Sequence, residues 1–125
     1  MSVEHNKAIL RRLMEEVWNE GNLDIVPDLI SPEFSMSAPS GPPIRGPEGF
    51  RQSVAYWRSI LPDLHFATDE VVGEEDRLAA RFTTTGTFKG RYEEYEPTGR
   101  QIQYAEAAFL SFKGGKLLEQ SVFVD

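Results

Sequence analysis

From Ile102 to Phe112 every second residue of an extended chain falls on one face: Ile102, Tyr104, Glu106, Ala108, Leu110 and Phe112. Glu106 is the only charged group in that row. A charge among apolar neighbours is costly unless paired, which leaves three arrangements. Glu106 lines a pocket, pairs with an arginine such as Arg81 on the neighbouring strand, or meets a dimer partner. In a pocket, loss of water raises the carboxyl pKa, so the group can exchange a proton with a carbon or an enolate oxygen near neutral pH. Arg81 shares its strand face with Ala79, Thr83, Thr85 and Thr87 and is a candidate to orient a carboxylate or a substrate carbonyl. Trp57 and Tyr104 are candidates for the flat walls of a cavity that is mainly apolar with a few convergent polar groups. Trp18 and Phe50, at helical spacing, read as core.

Other chemistries have less to work with. The chain has no cysteine, which removes thiolate zinc sites, cysteine nucleophiles and disulfides together. Of the two histidines, His5 falls in the first turn of an exposed helix and His65 opens a strand, and neither is favoured as a catalytic base. Thirteen basic residues are scattered along a chain of net charge −7, so the phosphate-neutralising patch of a nucleic-acid binder is missing. Small molecules or proteins are the expected partners. The N-terminal "MSVEHNKAIL" carries charge where a signal peptide has its apolar core, and no run approaches the length of a membrane span. A cytoplasmic location without membrane association is expected.

The elements that would position these groups are two or three helices followed by a sheet. With 125 residues, 40% of them hydrophobic and 26% charged, the chain is expected to form one domain over residues 1–125. Ser2 is a plausible N-cap for a first helix whose Ile9, Leu10, Leu13, Met14, Val17 and Trp18 recur at helical spacing, and "NEGN" ends it. A short second helix is expected within Leu23 to Leu29, limited by Pro27. "EFSMS" reads as a short strand and "APSGPPIRGPEG" as a loop. Pro47 suits the first turn of a third helix with Phe50, Val54, Trp57 and Leu61 on one face, and "PDL" ends that helix.

The period then changes to two. "LHFATDEVV" is a strand, "GEED" a turn and Arg77 to Phe88 a second strand. "KGRYEEYEPTGR" is a connecting loop, Gln101 to Lys113 a third strand, "GG" a turn and Leu117 to Asp125 a fourth. Helices followed by a mostly antiparallel sheet define an α+β arrangement. Gly86, inside the second of these strands, reads as a bend in a curved sheet. The acidic clusters "EEDR" and "YEEYE" are expected to face solvent.

In order, "VWNEGNLD", "GPEGF", "PDL", "EEDRLAARFTTTGT", "EPTGRQI" and "GGKLLE" followed by Asp125 resemble the SnoaL-like polyketide cyclases of the nuclear transport factor 2-like superfamily. The resemblance covers nearly the whole chain. It implies a cone-shaped, curved antiparallel sheet wrapped around helices and enclosing one pocket, with homodimers through the sheet. It also implies an intramolecular aldol cyclisation that needs no metal or cofactor, with an aspartate near the end of the last strand as acid/base. Asp125 matches that aspartate, beyond which relatives often continue. Three positions depart from the family pattern. Phe88 stands where relatives read His in Gly-Thr-His, Ser37 matches a histidine at the end of the first strand, and Gln120-Ser121 replace His-Trp after the Gly-Lys turn.

Two readings of different classes follow. In the first, the chain is a cofactor-independent cyclase, or a related isomerase or hydrolase, acting on an apolar or aromatic small molecule. Asp125 or Glu106 is then the acid/base, Gln120 and Ser121 place hydrogen bonds, and Trp57, Phe88 and Tyr104 shape the cavity. In the second, favoured by the missing histidines, the same fold is a catalytically silent binding module.

Overall fold

The computed structural model describes residues 2–37 and 42–125. The front of the expected "APSGPPIRGPEG" loop, residues 38–41, lies outside the described residues. Helix α1 covers Val3–Arg12, and the Ser2 side chain accepts from the His5 N–H as its N-cap. The helix continues without a break as a π-helical stretch, Leu13–Asn19. A 3-10 turn, Leu23–Ile25, leads into the four-residue helix α2, Val26–Leu29, where Pro27 falls in the first turn and its missing N–H breaks no bond. Helix α3 covers Gly46–Ile60 and has Pro47 in its first turn, as the sequence predicts.

Six strands form one curved, unclosed sheet: β1 Ile30–Ser37, β2 Ile44–Arg45, β3 His65–Glu74, β4 Arg77–Thr87, β5 Gln101–Lys113 and β6 Lys116–Val124. Their order is β2-β1-β6-β5-β4-β3. All neighbours are antiparallel except β1 and β6, which run parallel. The antiparallel sheet expected from the sequence therefore joins its first strand by one parallel pairing.

Alternation decides what each strand offers the helices. On β4, Leu78, Ala80, Phe82, Thr84 and Gly86 face inward and are buried. On β5 the inward row is the one that contains Glu106. From these rows Leu78, Ala80, Phe82, Ala108, Leu110 and Phe112 join Ile9, Leu10, Leu13, Met14, Val17 and Trp18 of the first helix and Phe50, Val54 and Ile60 of α3 in one core. Two polar ties set the helices on the sheet. The Asn19 amide bonds both main-chain groups of Phe66, donating at 3.0 Å and accepting at 2.8 Å, so the end of the first helix is fixed to β3. Arg58 of α3 donates to the carbonyls of Trp18 at 2.8 Å and Asn19 at 3.0 Å, satisfying acceptors that a helix end leaves free.

Gly86 carries no bulge. Pairing from β4 to β5 runs through Gly86 opposite Ile102 without interruption, and the register shifts fall at 68–70, 111–112 and 30–35 instead. A Cβ at Gly86 would come within 3.1 Å of Leu61, so the glycine makes room for the chain leaving α3.

Candidate active site

Between the inner face of the sheet and the helices lies a cavity of about 560 Å³, within the range of small-molecule sites. Its apolar wall draws on every layer. Met14 and Trp18 come from the π-helical stretch, Met36 from β1, Trp57 and Ile60 from α3, Phe66 from β3 and Phe82 from β4. Phe88 and Tyr92 come from the β4–β5 loop, Ile102 from β5, and Val122 and Val124 from β6. Trp18 anchors one side through edge contacts with Phe50 and Phe66, at ring-centroid distances of 5.9 and 5.3 Å.

The polar groups in the lining are few: Ser53, Tyr104, Glu106 and Gln120. Strand register explains the isolation of Glu106. Its cross-strand neighbours are Phe82 on β4 and Val124 on β6, so apolar side chains flank it on both sides. Arg81 lies opposite Ala107, one residue out of phase, and points to the outer face. There it meets Asp69 at 3.8 Å and Glu70 at 3.5 Å. The pairing of Arg81 with Glu106 that the sequence allows is therefore replaced by an exposed ion-pair cluster. Glu106 has no hydrogen-bond or ion-pair partner among the described residues, and burial pushes its carboxyl from the ordinary 4.5 up to about 7. The Tyr104 phenol, two residues away on the same face, is raised by burial and then by the charge of Glu106. It stays a proton-bearing donor over the working range.

Of the residues singled out in the sequence, Glu106, Trp57, Phe88, Tyr104 and Gln120 come together in the lining. Ser37, Arg81, Ser121 and Asp125 do not. Alternation puts Met36 rather than Ser37 inside, and Ser37 is exposed. Gln120 pairs with inward-facing Leu110, whereas Ser121 pairs with outward-facing Phe109 and turns away. Asp125 is exposed one residue beyond Val124, and its N–H is bonded to the Ala105 carbonyl at 3.0 Å. His5 and His65 lie outside the lining. Among the described residues no group of three or more His, Cys, Asp or Glu side chains is placed to hold a metal ion.

Sequence reasoning missed Tyr92, whose acidic neighbourhood "YEEYE" was expected to face solvent. Glu93 and Glu94 do, but Tyr92 turns back over the cavity beside Trp57, at 5.7 Å between ring centroids. Tyr92 and Tyr95 bracket two glutamates in a tight bridged turn that no turn-forming residue in the sequence marks.

Among the described residues, the curved sheet and the helices bound an apolar cavity whose lining carries a single carboxyl, that of Glu106. Comparison with known proteins supplies the class. Residues 8–125 match the sequence profile of the SnoaL-like polyketide cyclases, and the chain belongs to that family. It is 33% identical over 114 residues to aklanonic acid methyl ester cyclase AcmA of Streptomyces galilaeus, a match spanning 88% of this chain and 77% of AcmA. A protein from Jannaschia sp. CCS1 assigned as a SnoaL-like polyketide cyclase superposes with a TM-score of 0.90 at 22% identity, covering 100% of this chain and 90% of that one. AclR of S. galilaeus, proposed as a hydroxylase, superposes with a TM-score of 0.85 at 23% identity over 99% and 77% of the two chains. At these identities the two superpositions speak to the fold, and fold alone does not set the reaction.

Proposed function

We propose that this protein is a cofactor-independent cyclase that closes a ring in a polyketide-like substrate by an intramolecular aldol reaction, with Glu106 as the acid/base. The observation that carries the reading is the unpaired Glu106 carboxyl in an apolar cavity, with a pKa of about 7. At that value both protonation states are populated near neutral pH, so one group can take a proton and return it. As carboxylate, Glu106 removes a proton from a carbon between two carbonyls, and the enolate carbon bonds to a second carbonyl carbon within the same molecule. The resulting alkoxide takes the proton back from Glu106, so the step is balanced without a co-reactant. Tyr104 and Gln120, in the same lining, are donors for the developing oxyanion. Trp57, Phe88 and the other apolar walls exclude water and hold the folded chain of the substrate. The relation to AcmA supports a polyketide ester as substrate class.

A second carboxylate has a specific argument of its own. Asp125 is the residue that the family resemblance points to, and it follows cavity-lining Val124. The two assignments separate in one experiment: turnover of a β-dicarbonyl polyketide ester by wild type, Glu106→Gln and Asp125→Asn. Loss of about a hundredfold or more in kcat for Glu106→Gln, with Asp125→Asn within a few-fold, is the expected result. The reverse pattern transfers the role to Asp125. Substrate binding without turnover by wild type supports the catalytically silent module instead.

The same reading includes a homodimer through the outer face of the sheet. Phe109 and Phe123 are 63% and 55% exposed there and touch one another at 6.1 Å between ring centroids. Exposed apolar surface of this kind marks interaction sites. We place the protein in the cytoplasm. Among the described residues no helix is long and apolar enough to cross a membrane.

A further inference from the structure

Charge in the cavity is of one sign. Among the described residues the lining contains the Glu106 carboxyl and no lysine, arginine or histidine. Tyr104 and Tyr92 are the other titratable side chains that face it, and the first helix, α3, β1, β2, β3, β4 and β6 add none. A buried anion ordinarily keeps a cation beside it, and this one does not. The surface has the same sign. The chain carries a net charge of −7, and the loop that places Tyr92 in the lining exposes Glu93, Glu94 and Glu96. A field of that sign draws cations toward the cavity and repels anions.

Aromatic rings continue from the carboxyl into the cavity. Phe82 is the neighbour of Glu106 across β4 and β5, Phe66 lies 6.1 Å from Phe82 and Trp18 lies 5.3 Å from Phe66 between ring centroids. All three line the cavity. The faces of such rings attract a cation, more strongly where water is excluded. Burying an ion pair is opposed by the loss of water from both partners. Here folding has already stripped much of the water from the carboxyl, as its pKa of about 7 records. An incoming cation has chiefly its own hydration to lose, and a carboxylate and aromatic walls to gain.

We propose that the cavity binds a hydrophobic primary amine in its protonated form, with the ammonium on Glu106 and the apolar part along Phe82, Phe66 and Trp18. This is a second class of ligand for the site. It rests on the cavity being a ligand site and is independent of the ring closure, which such an amine would inhibit by competition. The pH dependence follows from the carboxyl. An alkylammonium stays charged up to about pH 10, so affinity rises as Glu106 ionises through about pH 7 and levels off above. At pH near 7 each amine bound displaces about half a proton from Glu106.

Isothermal titration calorimetry with naphthylethylamine, naphthylethanol and naphthylacetate, which share one ring system and differ in charge, tests this without requiring turnover. At about pH 8 the amine is expected to bind about ten-fold tighter than the alcohol, and the acetate more weakly than either. Between about pH 8 and 5.5 the amine should lose about ten-fold in affinity while the alcohol stays within about two-fold. Titration in two buffers of different ionisation heat reads the released proton directly. Glu106→Gln, an amide of the same size, should abolish the preference for the amine and the proton release together and keep the affinity for the alcohol. An amine that binds no tighter than the alcohol, that keeps its advantage in Glu106→Gln, or that binds without releasing protons would overturn the proposal, as would failure of all three compounds to bind. If the amine behaves as expected and wild type turns over no polyketide ester, the cyclisation fails and the amine site stands. If Glu106→Gln loses turnover and the amine gains nothing over the alcohol, the reverse holds.

Discussion

A carboxyl flanked across the sheet by Phe82 and Val124 is held by no cation and no donor among the described residues, so its protonation follows its loss of water. This has consequences for stability as well as for chemistry. The folded pKa of Glu106, about 7, lies above the ordinary carboxylate value of 4.5, so the folded state binds the proton more tightly than the unfolded one. Its contribution is most favourable below about pH 4.5, declines as pH rises toward 7, and is flat above that. Urea denaturation of wild type and Glu106→Gln between about pH 4.5 and 8 should show the wild type losing on the order of 2–3 kcal/mol relative to the variant. Equal pH dependence in the two proteins would place Glu106 in contact with water or a partner. In activity, a base of this pKa should give kcat/KM a rising limb with its midpoint near pH 7.

At the scale of elements, polar ties fix the helices to one another and to the sheet beside the cavity. Asn19 grips both main-chain groups of Phe66, Arg58 caps the end of the first helix, and Phe66 itself lines the cavity. Asn19→Ala removes two hydrogen bonds and leaves a donor and an acceptor of a partly buried strand without partners. A loss of roughly 2 kcal/mol in chemical denaturation is expected. A change below about 0.5 kcal/mol would mean that water replaces the amide fully. The π-helical stretch Leu13–Asn19 also shapes the cavity. Its wider turn carries Met14 and Trp18 into the lining, and such stretches are frequent at functional sites.

For the whole molecule, the two faces of the sheet differ. The inner face encloses the cavity, while the outer face of β5 and β6 shows Phe109 and Phe123 to solvent. Phe109→Glu should convert a dimer to a monomer in sedimentation equilibrium with the fold retained, since burying a phenyl ring contributes about 1.5–3 kcal/mol per protomer. A wild-type protein that sediments as a monomer at micromolar concentration would remove the dimer reading.

Much of this architecture is legible in the order and type of the residues. Periods of 3.6 and 2, the Ser2 cap, Pro47 and the glycine turn at 114–115 are local signals, and local steric and hydrogen-bonding preferences produce them in any context. The bounds of β5, Gln101–Lys113, and the inward row containing Glu106 follow from alternation alone. Register does not. Whether Arg81 can reach Glu106 depends on a one-residue phase between β4 and β5, and a shift of one residue exchanges the faces of a strand. Phase likewise excludes Ser37 and Ser121 from the lining and admits Gln120. Tyr92 is hidden because its burial depends on a loop folding back onto α3, a long-range contact with no periodic trace. The close approach of Leu61 to Gly86 is hidden for the same reason. Residue identity by itself determined which groups could do chemistry and on which element each would stand. Only tertiary packing decided which of them share a cavity, because desolvation and pairing are properties of neighbours brought together from distant parts of the chain.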